Sequence, residues 1–160
     1  MNKQAMTGLI ESLESTIRKL DWKPGGTEWG NYYDITNYSD AAFEHKKNLV
    51  REWTGRIQPG MVWDLGANTG TFSRIAAENA RYVMAMDSDQ LAVERMYQGV
   101  KHEGEALANL LPLIMNVAHP SPGLGWRGEE RKQLTGRGKP DLVLNLAVIH
   151  HIVISAHIPV

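Results

Sequence analysis

The sequence has no cysteine, no strong net charge and no long apolar run, and each absence removes a class of function. Without a single cysteine in 160 residues, the chain has neither disulfides nor thiolate metal ligands. Lys and Arg number 17 against 18 Asp and Glu, a net charge of −1, which gives no field for gripping a phosphate backbone, so nucleic acid is not the expected partner. No apolar stretch approaches the roughly twenty residues of a membrane span. The opening MNKQAMTGLIESLESTIRKL mixes acids among its apolar residues, where a signal peptide has a continuous apolar core. A cytoplasmic protein with no membrane attachment is the expectation. What is present, 42% hydrophobic residues, suffices for one ordinary core.

The opening segment places Met6, Leu9, Ile10, Leu13, Ile17 and Leu20 at helical spacing, which reads as a packing helix. Residues 21 to 40 hold Trp22, Trp29, Tyr32, Tyr33 and Tyr38 among helix-breaking Gly and Pro. Such a loop either seals the core edge or covers a ligand as a lid. Ser39 or Asp40 can cap a helix over about 41–53 with Phe43, the methylenes of Lys46, Leu49, Val50 and Trp53 facing inward. Strand and helix patterns then alternate: strands near 61–65, 81–87, 110–116 and 141–147, helices near 71–79 and 89–103. Apolar runs alternating with helices predict an open α/β fold, a doubly wound parallel sheet covered on both faces. The connection from Val117 to Pro140 is long and rich in Gly and Pro, with GEERKQL its one helical candidate; loops of that length in a compact domain are more often functional than idle.

The chemistry concentrates in VWDLGANTGTFSRIAAENARYVMAMD, residues 62 to 87. In such a sheet a ligand sits beyond the carboxyl ends of the strands, which is where Gly66 to Gly70 falls. The two glycines allow close backbone approach, and Asn68 is one of the few other residues that tolerate a left-handed conformation. Asp87 ends the second strand 21 residues after Gly66, where an acid meets the two hydroxyls of a ribose; the alternative is that Asp87 or Ser88 caps the next helix. Two ribose-bearing cofactors compete. The pyrophosphate of NAD would be repelled by Asp64 beside the loop, whereas the ammonium and sulfonium of S-adenosylmethionine suit it. The middle glycine of G-x-G-x-x-G and the G-K-[ST] of a phosphate loop are both missing, which also favours S-adenosylmethionine.

VWDLGANTGTFS resembles motif I of the class I S-adenosylmethionine-dependent methyltransferases, MAMDSD their second motif and DLVLNLAVIHH their fourth. More narrowly, NYYDITNYSDAAFEHKK, PSPGLGWRGEER and NLAVIHHIVISAHIPV are similar to NoeA-type, nodulation-protein-related methyltransferases. The resemblance implies a Rossmann-like sheet ordered 3-2-1-4, with residues 1–57 an N-terminal helical and aromatic lid segment and 58–160 a partial cofactor-binding domain. It implies cofactor roles for Asp64, Gly66, Ala67, Asn68, Gly70, Asp87, Ser88 and Asn145, and a position beside adenine for Asn116 and Val117. Many members carry aspartate where Asn116 stands; its amide oxygen can still accept the adenine amino proton.

The implied reaction moves a sulfonium methyl in line to a nucleophile, and asks the protein for positioning and a place for a proton. His150 and His151 stand where a base would, but adjacent residues point apart, so at most one faces the pocket; shaping the loop after the strand is the other role open to them. A metal site is not expected, since no carboxylate stands at ligand spacing beside them. Trp126, Glu129, Glu130 and Arg131 either line an acceptor site or belong to a solvated loop. The acceptor expected is a small molecule or, by resemblance, a saccharide; NLAV differs from the Asn-Pro-Pro-Tyr of amino-directed nucleic-acid methyltransferases. The ending HHIVISAHIPV stops on apolar residues where complete members continue, so a C-terminally truncated chain with little turnover is expected, self-associating through an uncovered strand edge. The alternative is a binding module without turnover.

Overall fold

The computed structural model describes residues 2–22, 25–27 and 39–159. The aromatic cluster of Trp29, Tyr32, Tyr33 and Tyr38 lies outside them, and Trp22 is exposed. The first helix, α1 (Lys3–Arg18), begins where the Asn2 side chain accepts the Ala5 N–H at 2.9 Å. The helix forms as its periodicity predicts, but it is not the expected packing helix: none of its residues is buried, and the stripe from Met6 to Ile17 stays exposed. Periodicity is a local property of the sequence, whereas burial needs a partner surface, and no described element buries this one.

The second helix, α2 (Asp40–Ile57), starts at Ser39, whose hydroxyl accepts the Ala42 N–H, and ends at Gln58 in a left-handed conformation. It buries Val50 and Thr54, while Leu49 and Trp53, expected inside, are exposed. Its inner face is thus turned toward the i, i+4 pair, and Thr54 satisfies its hydroxyl by donating to the Val50 carbonyl at 2.9 Å.

Four parallel strands follow: β1 (Val62–Leu65), β2 (Val83–Asp87), β3 (Leu110–Ile114) and β4 (Leu142–Asn145), in the order β3-β2-β1-β4. Between them lie α3 (Thr71–Ala77) and α4 (Gln90–Glu103). The strands are shorter than their apolar runs because pairing stops where the chain turns into the loops. Val62, Val83, Ala85, Leu110 and Leu144 form one core with Val50 of α2, Phe72, Ile75 and Ala76 of α3, and Met96 of α4. The sheet is Rossmann-like as expected, but among the described residues its helices share one face. Both crossovers, β1 to β2 and β2 to β3, step in the same direction, and right-handedness puts both helices on the same side. On the other side the register row Trp63, Met84 and Leu111 continues to Val143, and Leu111 and Val143 are exposed.

Handedness assigns the β3 to β4 connection to that second side, and it carries only short 3-10 turns at Trp126–Gly128 and Leu134–Gly136. GEERKQL is not a helix. Gly128 has φ +73°, and Arg131 pairs in an antiparallel bridge with Leu124, which folds the segment back on itself. After β4 the chain makes one wide turn, His151–Ser155.

The cap of α4 is neither Asp87 nor Ser88 but Asp89, which is buried and accepts the N–H groups of Leu91 at 2.9 Å and Ala92 at 3.0 Å, and the Thr27 hydroxyl at 3.0 Å. Asp89→Ala is expected to cost about 1 to 2 kcal/mol in urea denaturation, and Asp89→Ser to recover most of it, because serine caps as well as aspartate.

Candidate functional site

The turn after β1 is built from backbone. The N–H groups of Gly66 and Ala67 both donate to the Met86 carbonyl, at 2.8 and 3.0 Å, and the Gly70 N–H closes on the Ala67 carbonyl at 2.9 Å. Gly66, Asn68 and Gly70 have φ of +69°, +50° and +84°, so the turn uses the left-handed region at the three positions whose residue types allow it. The Asn68 side chain accepts the Thr69 N–H at 2.8 Å, a local bond that holds its own strained conformation.

Two carboxylates stand beside this turn, and Asp87 holds it. Asp87, at the end of β2, accepts the Asn68 N–H at 2.7 Å with one oxygen and the Asp89 N–H at 2.8 Å with the other. Burial pushes its carboxyl above the usual range, against the pull of those backbone N–H groups. Asp64 is 2% exposed and accepts the Ser73 hydroxyl at 2.6 Å. Its carboxyl is raised to about 6, first by burial and further by the charge of Asp87, with the Ser73 hydroxyl and the Lys46 charge opposing.

Both acids line a cavity of about 750 Å³ at the carboxyl end of the sheet, within the range of small-molecule sites. Gly66, Ala67, Asn68 and Ser88 form its floor beside them, and Asn116 and Val117 line the end beyond β3. Residues after β4 line a further side: Ala147, itself at φ +62°, then Val148, His151, Ile152 and Ser155. The structure thus brings together most of the residues singled out from sequence. Gly70 stands behind the cavity as the N-terminal cap of α3. Asn145 pairs in register with Leu65 and lies outside the lining. Of the adjacent histidines only His151 lines the cavity, with the His150 ring 4.0 Å from its own, centroid to centroid. Trp126, Glu129, Glu130 and Arg131 are exposed and do not reach it.

Sequence reasoning missed Lys46, Phe72 and His119 as lining residues. The helical spacing of α2 places Lys46 inward through its methylenes, and a Phe or His at one position gives no local sign of facing a cavity. The Asn116 side chain accepts the Ala118 N–H at 2.9 Å, and this turn carries the chain round to His119.

A parallel 3-2-1-4 sheet with a glycine turn after its first strand, a carboxylate at the end of its second and a cavity over both is the fold of the class I S-adenosylmethionine-dependent methyltransferases. Magnesium protoporphyrin IX methyltransferase from Synechocystis PCC 6803, solved with bound S-adenosylmethionine, superposes with a TM-score of 0.50 over 81% of this chain and 53% of its own, at 22% identity. The N-methyltransferase NodS from Bradyrhizobium japonicum WM9 superposes with a TM-score of 0.41 over 52% of this chain and 46% of its own, at 15% identity. In sequence the chain is similar to the nodulation protein NoeA of Rhizobium meliloti (strain 1021), 31% identical over 159 residues. That alignment takes in 98% of this chain but 33% of NoeA, so the chain spans about a third of the length of the curated relative it matches. No protein-family model matches it. No described helix is long and apolar enough to cross a membrane.

Proposed function

We propose that the cavity binds S-adenosylmethionine and that the whole protein transfers its methyl group to a small-molecule or saccharide acceptor in the cytoplasm. The observation that carries this reading is the pair of carboxylates under one glycine turn, Asp64 buried beside Gly66 and Asp87 hydrogen-bonded to the turn itself. Asp87 offers its remaining lone pairs to a vicinal diol, and Asp64 offers a buried anion to an ammonium. Asn116 and Val117 supply an amide and an apolar edge suited to a purine. When bound, the cofactor supplies an activated methyl on a sulfonium. The protein's part is orientation and exclusion of water by the wall after β4, with His151 in that wall as the group able to take a proton. The near-zero net charge, −1 over the chain, supports an acceptor other than nucleic acid.

Calorimetry with S-adenosylhomocysteine and with NAD tests the cofactor, with tighter binding of the former expected. A buried acid at the turn disfavours a pyrophosphate, so tighter NAD binding would overturn the assignment. Asp87→Ala is expected to weaken S-adenosylhomocysteine binding by about 1.5 to 3 kcal/mol, the range for hydrogen bonds to a charged group. Because Asp87 also anchors the Asn68 N–H, the melting temperature of Asp87→Ala is measured beside the titration, and normal binding by a variant that melts far lower would reduce Asp87 to a support of the turn.

A further inference from the structure

Lys46 is the residue the reaction scheme above leaves without a task. It lies on α2, outside every element that carries the glycine turn or the acids, yet it lines the cavity with Asp64 and Gly66. Among the described residues of the lining it is the one lysine or arginine. Its position is built, not incidental. Phe43 of α2 meets Phe72 of α3 edge to face, ring centroids 5.8 Å apart at 72°, and the Lys46 ammonium sits 4.8 Å from the Phe72 ring centroid. Phe72 is 5% exposed and immediately precedes Ser73, the hydroxyl that holds Asp64. The aromatic pair therefore docks α2 so that a cation stands over the start of α3, close enough to Asp64 for its charge to act on that carboxyl.

We infer that Lys46 binds the carboxylate of the ligand's amino-acid end, making with Asp64 an anion-and-cation pair that selects a zwitterionic headgroup. This rests on the cofactor reading of the cavity. A ligand carboxylate entering a cavity that already holds Asp64 and Asp87 would be repelled unless a cation meets it, and Lys46 is the group placed to do so. The two ends of one headgroup then divide between two elements, the ammonium to β1 and the carboxylate to α2. Binding thereby ties the helix ahead of the sheet to the site.

The test separates the headgroup from the rest of the molecule by titrating S-adenosylhomocysteine against 5′-methylthioadenosine, which has the same nucleoside and sulfur but no amino-acid end. Lys46→Met, which keeps a linear apolar chain over Phe72, is expected to weaken S-adenosylhomocysteine about tenfold or more, the scale of a lost charge-assisted hydrogen bond. Methylthioadenosine affinity is expected to stay unchanged, which also shows that the variant is folded. Lys46→Arg is expected to restore most of the discrimination between the two ligands. Equal losses for both ligands would reduce Lys46 to a packing residue, and no loss for either would place it outside the site; both outcomes overturn the inference. A wild-type chain that binds neither ligand would instead overturn the cofactor assignment on which the inference stands.

Discussion

Asp64→Asn is expected to stabilise the unliganded chain at neutral pH while removing most of its affinity for S-adenosylhomocysteine. In the folded chain this carboxyl holds its proton up to about pH 6, whereas an exposed aspartate releases it near 3.8. Between those values the folded state binds more protons than the unfolded state, so stability falls as pH rises through the window and levels off above it. The rise to about 6 corresponds to about 3 kcal/mol of lost stability at pH 7. Asparagine carries no charge to desolvate, and its amide oxygen can still accept the Ser73 hydroxyl. Urea midpoints measured from pH 4 to 8 should therefore coincide for the two proteins at the acid end and diverge in favour of Asp64→Asn as pH rises. Asp87 is raised by the same cause, so the variant keeps a weaker slope of the same sign. Binding should change in the opposite sense, because a ligand ammonium loses the Asp64 carboxylate, for about tenfold or more in affinity. A midpoint difference that is the same at every pH would mean that packing, not the buried charge, separates the proteins.

Asp64 shows its residue type in the sequence, but its burial arises only from how the elements pack. The strands, the glycine turn and the two acids were legible because each is a local pattern: an apolar run, a residue type that allows positive φ, an acid at a strand end. The turn then puts Gly66, Asn68 and Gly70 into the left-handed region, as their residue types permit. Lys46 was hidden because its role depends on how α2 docks on α3 through Phe43 and Phe72, a relation between helices that no window of sequence contains. The exposed stripe of α1 fails for the same reason in reverse, since its spacing specifies a helix but not what lies against it. At α4 the sequence offered three adjacent polar residues for one cap. Asp89 takes it because Asp87 is already committed to the turn, a competition visible only once β1 and β2 are side by side.

Gly70→Ala is expected to destabilise the fold by about 2 to 5 kcal/mol, through two separable terms. The first is conformational: Gly70 caps α3 at φ +84°, where a Cβ crowds the following carbonyl for about 1 to 2 kcal/mol. The second is steric. A Cβ there would stand 2.6 Å from the sulfur and 2.8 Å from Cγ of Met96, and Met96 is completely buried in the core, so the overlap cannot be relieved into solvent and adds about 1 to 3 kcal/mol. Met96→Ala alone should cost about 2 to 5 kcal/mol by opening a cavity. In the double variant the alanine methyl partly fills that space, so the combined loss should fall short of the sum of the single losses by about the steric term. Gly66→Ala supplies the contrast. Its Cβ would overlap Val148, which is half-buried on the cavity wall after β4, whereas Met96 is completely buried in the core. That variant should lose S-adenosylhomocysteine affinity while giving up less stability than Gly70→Ala. Fully additive losses in the Gly70 and Met96 pair would show that the conformational term acts alone, and that the glycine is required by the turn rather than by the packing of α3 against α4.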